Sequence, residues 1–452
     1  MHYDTINHND VNKYINDIPA AEDDAVMDVP FKREEVMNVL KIIKLNAMGP
    51  DGVSPHFLKH APEELGEVLV RLFNYSWCNH VLPVEWRQAN VCVLHKKGTR
   101  VDDISSYRPI SLTSVVVKSF ERLVLHRMMD RVKDKLVNTQ AGFRPRHACT
   151  DQIYQLLHAI KSWHHNHDNQ VGNPFYAAFI DFSKAFDRVW TNGLLSKVHR
   201  MGIRGRAWRW IQSFLTGRSL RVINGSSYSD WYDITAGVPQ GSVISPLLFI
   251  IFINDFADHI LKQTHGAHCL KFADDIVMWS VLQSPHGIRQ CIEAALKWCH
   301  LWKMVINSLK SNIVPFTTGS MKWDDLSRFD EFQPMAIEQK YPNDSNKQRI
   351  TPLTFTFTDT YKYLGVTLHH HLNWSTHATS VIKKANRACA LVCRLIHPKG
   401  RQSPGIITIR LLTRMIIYTT IGYGLPLWTM TKQQQRKLQS LIVRPLLSEG
   451  EC

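Results

Sequence analysis

Two adjacent carboxylates, Asp274-Asp275, stand in the middle of an apolar stretch. Leu270, Phe272 and Ala273 precede them, and Ile276, Val277, Met278 and Trp279 follow. Carboxylates side by side in apolar strands repel each other and lose hydration, which is costly unless a cation compensates. This predicts a hairpin over 269–279 with both acids at its tip. Residues 176–180 (Tyr-Ala-Ala-Phe-Ile) form a continuous apolar run, the mark of a strand buried on both faces, and Asp181 closes it. Other acid pairs in the same chain, Asp23-Asp24, Asp102-Asp103 and Asp324-Asp325, have polar surroundings and are expected to be solvated. Three carboxylates at one sheet edge suit magnesium, a hard ion that takes oxygen ligands and leaves room for phosphates. Two such ions ~3.5–4 Å apart serve in-line phosphoryl transfer. Spacing alone leaves unrelated acids at strand ends as the competing explanation.

The charge points the same way. The formal net charge is +15, yet residues 1–30 hold seven acids against Lys13 alone, which leaves the other 422 residues at +21. A body this basic favours a polyanion, since each neutralised phosphate releases counterions. Apolar residues make up 44% of the chain, too many for a disordered protein. The nine cysteines include no Cys-x-x-Cys pair. Cys389 and Cys393, one helical turn apart, have no further ligands nearby for zinc and are expected in the core. The His-rich stretches (His164, His165, His167; His369, His370, His371) lack metal spacing and are expected in loops. The N-terminus has no signal pattern. The longest apolar run, Leu247 to Ile253, falls short of the ~20 residues of a membrane span. A soluble intracellular protein without membrane contact is the expectation.

Periodicity then orders the chain. Residues 1–30 are expected to be a disordered acidic leader. Val36, Val39, Leu40 and Ile43 mark a helix that stops at Gly49-Pro50-Asp51-Gly52. Residues 63–80 predict a helix with Leu65, Val68, Leu69, Leu72 and Phe73 inside. Residues 90–95 and Tyr107-Arg108-Pro109-Ile110 predict extended chain, 114–136 a helix, 245–253 a buried helix, 361–368 a strand, and the chain after 375 helices. The stretch 318–358 is expected to be an insertion or long loop. Ala378, Val381, Ile382, Ala385, Cys389, Val392 and Leu395 form an apolar stripe on a helix over 378–396, with Lys383, Lys384, Arg387 and Arg394 off it.

Six segments in order carry a resemblance. Tyr107-Arg108-Pro109-Ile110-Ser111-Leu112, Gln140-Ala141-Gly142-Phe143-Arg144, Ala178 to Asp187, Gly237-Val238-Pro239-Gln240-Gly241-Ser242, Phe272-Ala273-Asp274-Asp275 and Tyr363-Leu364-Gly365-Val366 resemble the motifs of non-LTR (LINE-type, jockey-like) retrotransposon reverse transcriptases. The resemblance implies an α+β right-hand polymerase: N-terminal helices and fingers over 31–178, a palm of antiparallel sheet plus helices over 179–371, and a helical thumb with a tail over 372–452. It implies an RNA-directed DNA polymerase acting on an RNA template, a DNA primer and deoxynucleoside triphosphates, with two Mg2+ ions (or Mn2+), and a nuclear location.

The roles follow residue by residue. Asp181, Asp274 and Asp275 would be the metal ligands. Lys96 and Arg108 would grip the triphosphate, with the adjacent Lys97 equally able to serve in place of Lys96. Phe182, Phe186 and Gln240 would line the nucleotide, with Phe186 under the sugar or, alternatively, in the core. Lys310 would protonate the departing pyrophosphate or be a solvated lysine. Tyr363, Leu364 and Gly365 would form the primer grip, and Lys383, Lys384 and Arg387 would lie along the duplex. Members usually also carry an endonuclease, and nothing before residue 31 encodes one, which makes a truncated element copy the expected origin. A nucleic-acid-binding relic without polymerisation is the rival, and an intron-encoded splicing cofactor of the same fold fits the motifs less well.

Overall fold

The computed structural model describes residues 8–19, 24–44, 47–60, 62–96, 98, 100–166, 174–317, 335–340, 350–396 and 404–447. The expectations for Asp23, Lys97, His167, Asp324-Asp325 and most of 318–349 lie outside the described residues.

The chain is a mixed α/β structure in which two sheets are joined through helices. It opens with α1 (His8–Asn16), α2 (Arg33–Lys41), α3 (Pro55–Lys59), α4 (Glu63–Asn79) and α5 (Val84–Arg87). The expectation of a disordered leader is corrected for its described residues, 8–19 and 24–30. Val11 and Ile15 of α1 are buried, and Tyr14 meets His199 Nδ1 at 2.7 Å. Asp24, expected to be solvated, is buried and bonds Arg131 at 2.7 Å, while its Oδ1 accepts the amides of Val26 and Met27. The apolar residues among the acids gave the segment something to bury. In α4, Leu69 and Phe73 are buried as expected, but Val68 faces solvent.

The first sheet has the order β2-β1-β4-β5, with β6 also on β4. It is built from β1 (Gln88–His95), β2 (Tyr107–Leu112), β4 (Arg218–Asn224), β5 (Ser227–Tyr228) and β6 (Tyr232–Ile234), so it draws strands from either side of the expected boundary near 179. Between them come α6 (Val115–Val132), α7 (Cys149–Asn166), β3 (Phe175–Ile180), α8 (Thr191–Arg200) and α9 (Gly205–Leu215). His164 and His165 lie in α7, not in a loop.

The second sheet carries the acids. After α10 (Ser245–Phe252) and α11 (Phe256–Gln263), β7 (Ala267–Phe272) and β8 (Asp275–Ser280) form the expected hairpin, followed by α12 (Pro285–Trp302) and β9 (Asn312–Phe316). The order is β10-β11-β9-β3-β8-β7, with β10 (Met335–Lys340) and β11 (Ile350–Phe357) extending it. The expected long loop at 318–358 therefore includes two paired strands. Every residue of β3 is buried. Phe179 stacks on Tyr361 at 4.2 Å, and α12 packs on the other face, where Tyr176, Ala178 and Ile180 share one core with Trp298 and Trp302. The expected single strand over 361–368 is instead a hairpin of β12 (Thr360–Tyr363) and β13 (Val366–His369), turning at Leu364 and Gly365, both at positive φ. His369 ends β13, which corrects its placement in a loop, whereas His370 and His371 lie in the turn that follows, with His370 buried.

The remainder is helical: α13 (Ser375–Ile396), α14 (Ile406–Leu412) running through a π-turn into α15 (Thr419–Gly422), and α16 (Lys432–Leu447). The α13 stripe is buried as expected from Ala378 to Val392, with Cys389 inside, but Leu395 is exposed. The segment Ile406–Leu427 is long and apolar enough to cross a membrane, with a mean hydropathy of 1.2, a test that the core helix of a soluble protein also passes. Here Ile409, Ile417 and Ile421 pack into the cluster formed with α13 and α16, while most of the segment is not buried.

Candidate active site

The register of the second sheet brings the acids together. Strands β3 and β8 pair antiparallel up to Ile180 and Ile276, and one further step sets Asp181 opposite Asp275. Asp275 also pairs with Phe272 across the two-residue turn Ala273-Asp274, where Ala273 has φ +57°. The turn after α12 closes on Asp181. Its amide donates to Ser311 Oγ at 3.0 Å, and its Oδ2 accepts Asn307 Nδ2 at 3.2 Å, with Lys310 Nζ 3.9 Å away.

All three carboxyls are pushed above the usual range. For Asp181 and Asp274 the main cause is lost hydration, opposed by Lys310. Asp275 rises to about 6, through lost hydration first and then the charges of Asp274 and Asp181. A set of oxygen donors that resist ionising together is what a hard divalent ion relieves. Among the described residues, no three His, Cys, Asp or Glu side chains already converge closely enough to hold an ion.

The residues expected around a nucleotide divide. Arg108 is exposed on β2, opposite Leu94. Lys96 follows β1, and its charge helps hold the Asp181 carboxyl down. Phe186 is half-buried, stacked 4.5 Å from Phe249 and edge-on to Phe143 at 6.4 Å. The ring of Phe182 is buried edge-on to Phe256 at 5.9 Å and near Trp298. Its side chain faces the core, so only its backbone is left to meet a nucleotide. Gln240 Nε2 donates to Asp187 Oδ1 at 3.0 Å, and its carbonyl accepts the Ser111 amide at 2.8 Å, linking β2 to the acid sheet. Gly241 is required here, since a Cβ would lie 2.4 Å from Ser111 O and φ is +124°.

The motif reading missed Glu121. It is fully buried, and its Oε2 accepts Ser242 Oγ and the amides of Val243 and Ile244 at 2.5, 2.5 and 3.1 Å. The carboxylate thus caps the entry to α10 and holds the loop that carries Gln240. Burial raises its carboxyl and lowers Arg218, its charge partner, to about 10. One Glu among apolar residues of a helix was the available signal.

The other predicted residues lie on separate elements. Tyr363 is buried beside Phe179 (5.4 Å), and Tyr423 Oη donates to the Leu364 carbonyl across the Leu364-Gly365 turn. Lys383, Lys384 and Arg387 are exposed on α13.

The model of the reverse transcriptase (RNA-dependent DNA polymerase) family matches residues 94–368. That span contains β2 and β4 of the first sheet, the whole β9-β3-β8-β7 part of the second and all three acids. The chain belongs to the reverse transcriptase family. Among relatives, the chain is 28% identical over 426 residues to the RNA-directed DNA polymerase from mobile element jockey of Drosophila melanogaster, covering 91% of this chain and 43% of that one. It is 27% identical over 439 residues to a probable RNA-directed DNA polymerase from transposon BS of the same organism, covering 94% and 45%. A probable RNA-directed DNA polymerase from transposon X-element, again from D. melanogaster, is 27% identical over 417 residues, covering 89% and 42%. The resemblance to non-LTR retrotransposon reverse transcriptases holds. The chain spans less than half the length of these curated relatives.

Proposed function

We propose that the chain is the polymerising part of a retrotransposon protein, adding deoxynucleotides to a primer 3′-hydroxyl on an RNA template. The single observation that carries this is the register that sets Asp181 opposite Asp275, with Asp274 on the adjoining turn. The first sheet and the N-terminal helices act as fingers, the second sheet as palm, and α13 to α16 as thumb.

Asp181, Asp274 and Asp275 would hold two magnesium ions, with manganese as a substitute. Bound there, the ions supply charge neutralisation for the attacking and leaving oxygens. The residues do the rest. Arg108 and Lys96 hold the triphosphate from the fingers side. Gln240, fixed by Asp187 and by the Glu121 cap, positions the nucleotide. Phe186, backed by Phe249, fills the space beneath the sugar. Lys310 stands beside Asp181 and donates a proton to the departing pyrophosphate. The Leu364-Gly365 turn steadies the primer end, and Lys383, Lys384 and Arg387 contact the duplex backbone, where hybrids are read through phosphates and shape.

The test is extension of oligo(dT) on poly(rA) with magnesium and dTTP. Template-dependent extension is expected. A chain that binds this duplex but extends nothing would overturn the polymerase reading and leave a binding relic.

A further inference from the structure

The segment Gln140-Ala141-Gly142-Phe143-Arg144 has no role in the chemistry above, yet it touches the acid hairpin at its tip. The chain at 139–141 pairs with the outer edge of β7: Lys271 N donates to Thr139 O at 2.8 Å, and Ala141 N to Lys271 O at 2.9 Å. Beyond that point the backbone ladder stops and a side chain continues it. Gln140 is fully buried, and its Oε1 accepts two amides, Gly142 N at 2.9 Å and Ala273 N at 3.0 Å. Both partners are N–H donors, so the oxygen, not the amide nitrogen, must face them. Ala273 is the residue at φ +57°, a conformation that an L-residue with a Cβ disfavours. Its amide is in the turn, outside the strand ladder, on a buried residue. Gly142 lies so close that a Cβ would sit 2.4 Å from Ala273 N. Arg144 closes the segment on itself by donating to Val137 O and Gln140 O at 2.9 and 3.1 Å.

We infer that Gln140 is a positioning residue: its side-chain oxygen latches the left-handed turn that presents Asp274, and so sets how tightly the carboxylates take a divalent ion. The latch acts through Ala273, one residue before Asp274, and touches no substrate. The inference rests on the proposed polymerase reading for the purpose of the ion, and on the hydrogen bonds alone for the latch.

Gln140→Met keeps the length of the side chain and removes the acceptor. The first readout is amide hydrogen exchange in the full chain. Exchange at Gly142 and Ala273 is expected to quicken about tenfold or more, the scale of one lost buried acceptor, while Val277 and Met278 hold. The second is Mn2+ titration followed by electron paramagnetic resonance, where affinity is expected to weaken several-fold. Adding Ala273→Gly, which tolerates positive φ, is expected to restore part of that affinity. Unchanged exchange at those two amides, unchanged Mn2+ affinity, or no recovery with Ala273→Gly would overturn the latch. If Gln140→Met does not fold, Gln140→Glu keeps an acceptor oxygen and must retain the protection; its loss would overturn the latch equally. Wild-type primer extension is scored separately, so that a chain that binds Mn2+ through a working latch but extends nothing rejects the polymerase reading and not this one.

Discussion

The acid sheet and the C-terminal helical unit are built on opposite principles. In the sheet, β3 is buried along its whole length and its terminal Asp181 is tied by Ser311 and Asn307. In the helical unit, α13 buries one stripe and leaves Lys383, Lys384 and Arg387 in solvent, while α14 and the π-turn expose Ile407 and Met415. The first arrangement holds a carboxylate by burial beneath it and hydrogen bonds around it. The second spreads charge over a surface that can follow an irregular polyanion. On the proposed reading, chemistry is concentrated where packing is complete, and grip where it is not.

The largest expected effect tests the rigid side. Asp181→Asn or Asp274→Asn should remove nearly all extension with duplex binding largely kept, because losing a metal costs several kcal/mol and each ~1.4 kcal/mol is tenfold in rate. Initial rates and a filter-binding Kd check this, and more than about a tenth of the rate remaining would break the division of labour. Next comes stability. Phe179→Ala, beneath Asp181 and fully buried, should cost about 3–5 kcal/mol in urea unfolding. Equal costs for Phe179→Ala and for Ile407→Ala, which is 74% exposed and should stay within about 0.5 kcal/mol, would erase the contrast.

Phe186 sharpens the comparison within the rigid side. Phe186→Val or Phe186→Ala should raise kcat/KM for UTP relative to dTTP by about tenfold, since an apolar pocket alone rejects an added hydroxyl only ~10²-fold. Its stack on Phe249 supplies the stiffness such a clash needs. A constant ratio with collapsed activity would make it a packing residue. The smallest effect belongs to the helical side. Replacing Lys383, Lys384 and Arg387 together by Ala should make the log–log salt dependence of duplex affinity shallower by about 2–3, one phosphate each. An unchanged slope would mean that α13 faces elsewhere.

The sequence was most legible where burial was extreme. The apolar run before Asp181 and the acids framed by Phe272 and Ile276 left few alternatives to β3 and the β7–β8 hairpin. It was least legible where a local pattern had two solutions. Tyr361 to Leu368 alternates well enough for one strand, and only the turn at Gly365 reveals two. The leader's acids outweighed its few apolar residues, so Val11, Ile15 and Met27 were overlooked as anchors. Phe182 follows the candidate ligand Asp181 in sequence, but alternation along the chain turns its ring into the core. The Glu121 cap depends on a contact 121 residues away, which no local pattern encodes.

That acidic segment also works as a strap across distant helices. Asp28 caps α9: its Oδ1 accepts Arg206 N at 2.8 Å, and Oδ2 accepts Asp24 N at 2.8 Å. Gly205 leaves room for it, since a Cβ there would stand 2.4 Å from Oδ2. Asp24 in turn holds Arg131. The acids of this segment therefore do different work: Asp10 and Asp17 are exposed, whereas Asp24 and Asp28 tie the segment to Arg131 and to the start of α9, so that replacing Asp28 would release an end of a helix far along the chain.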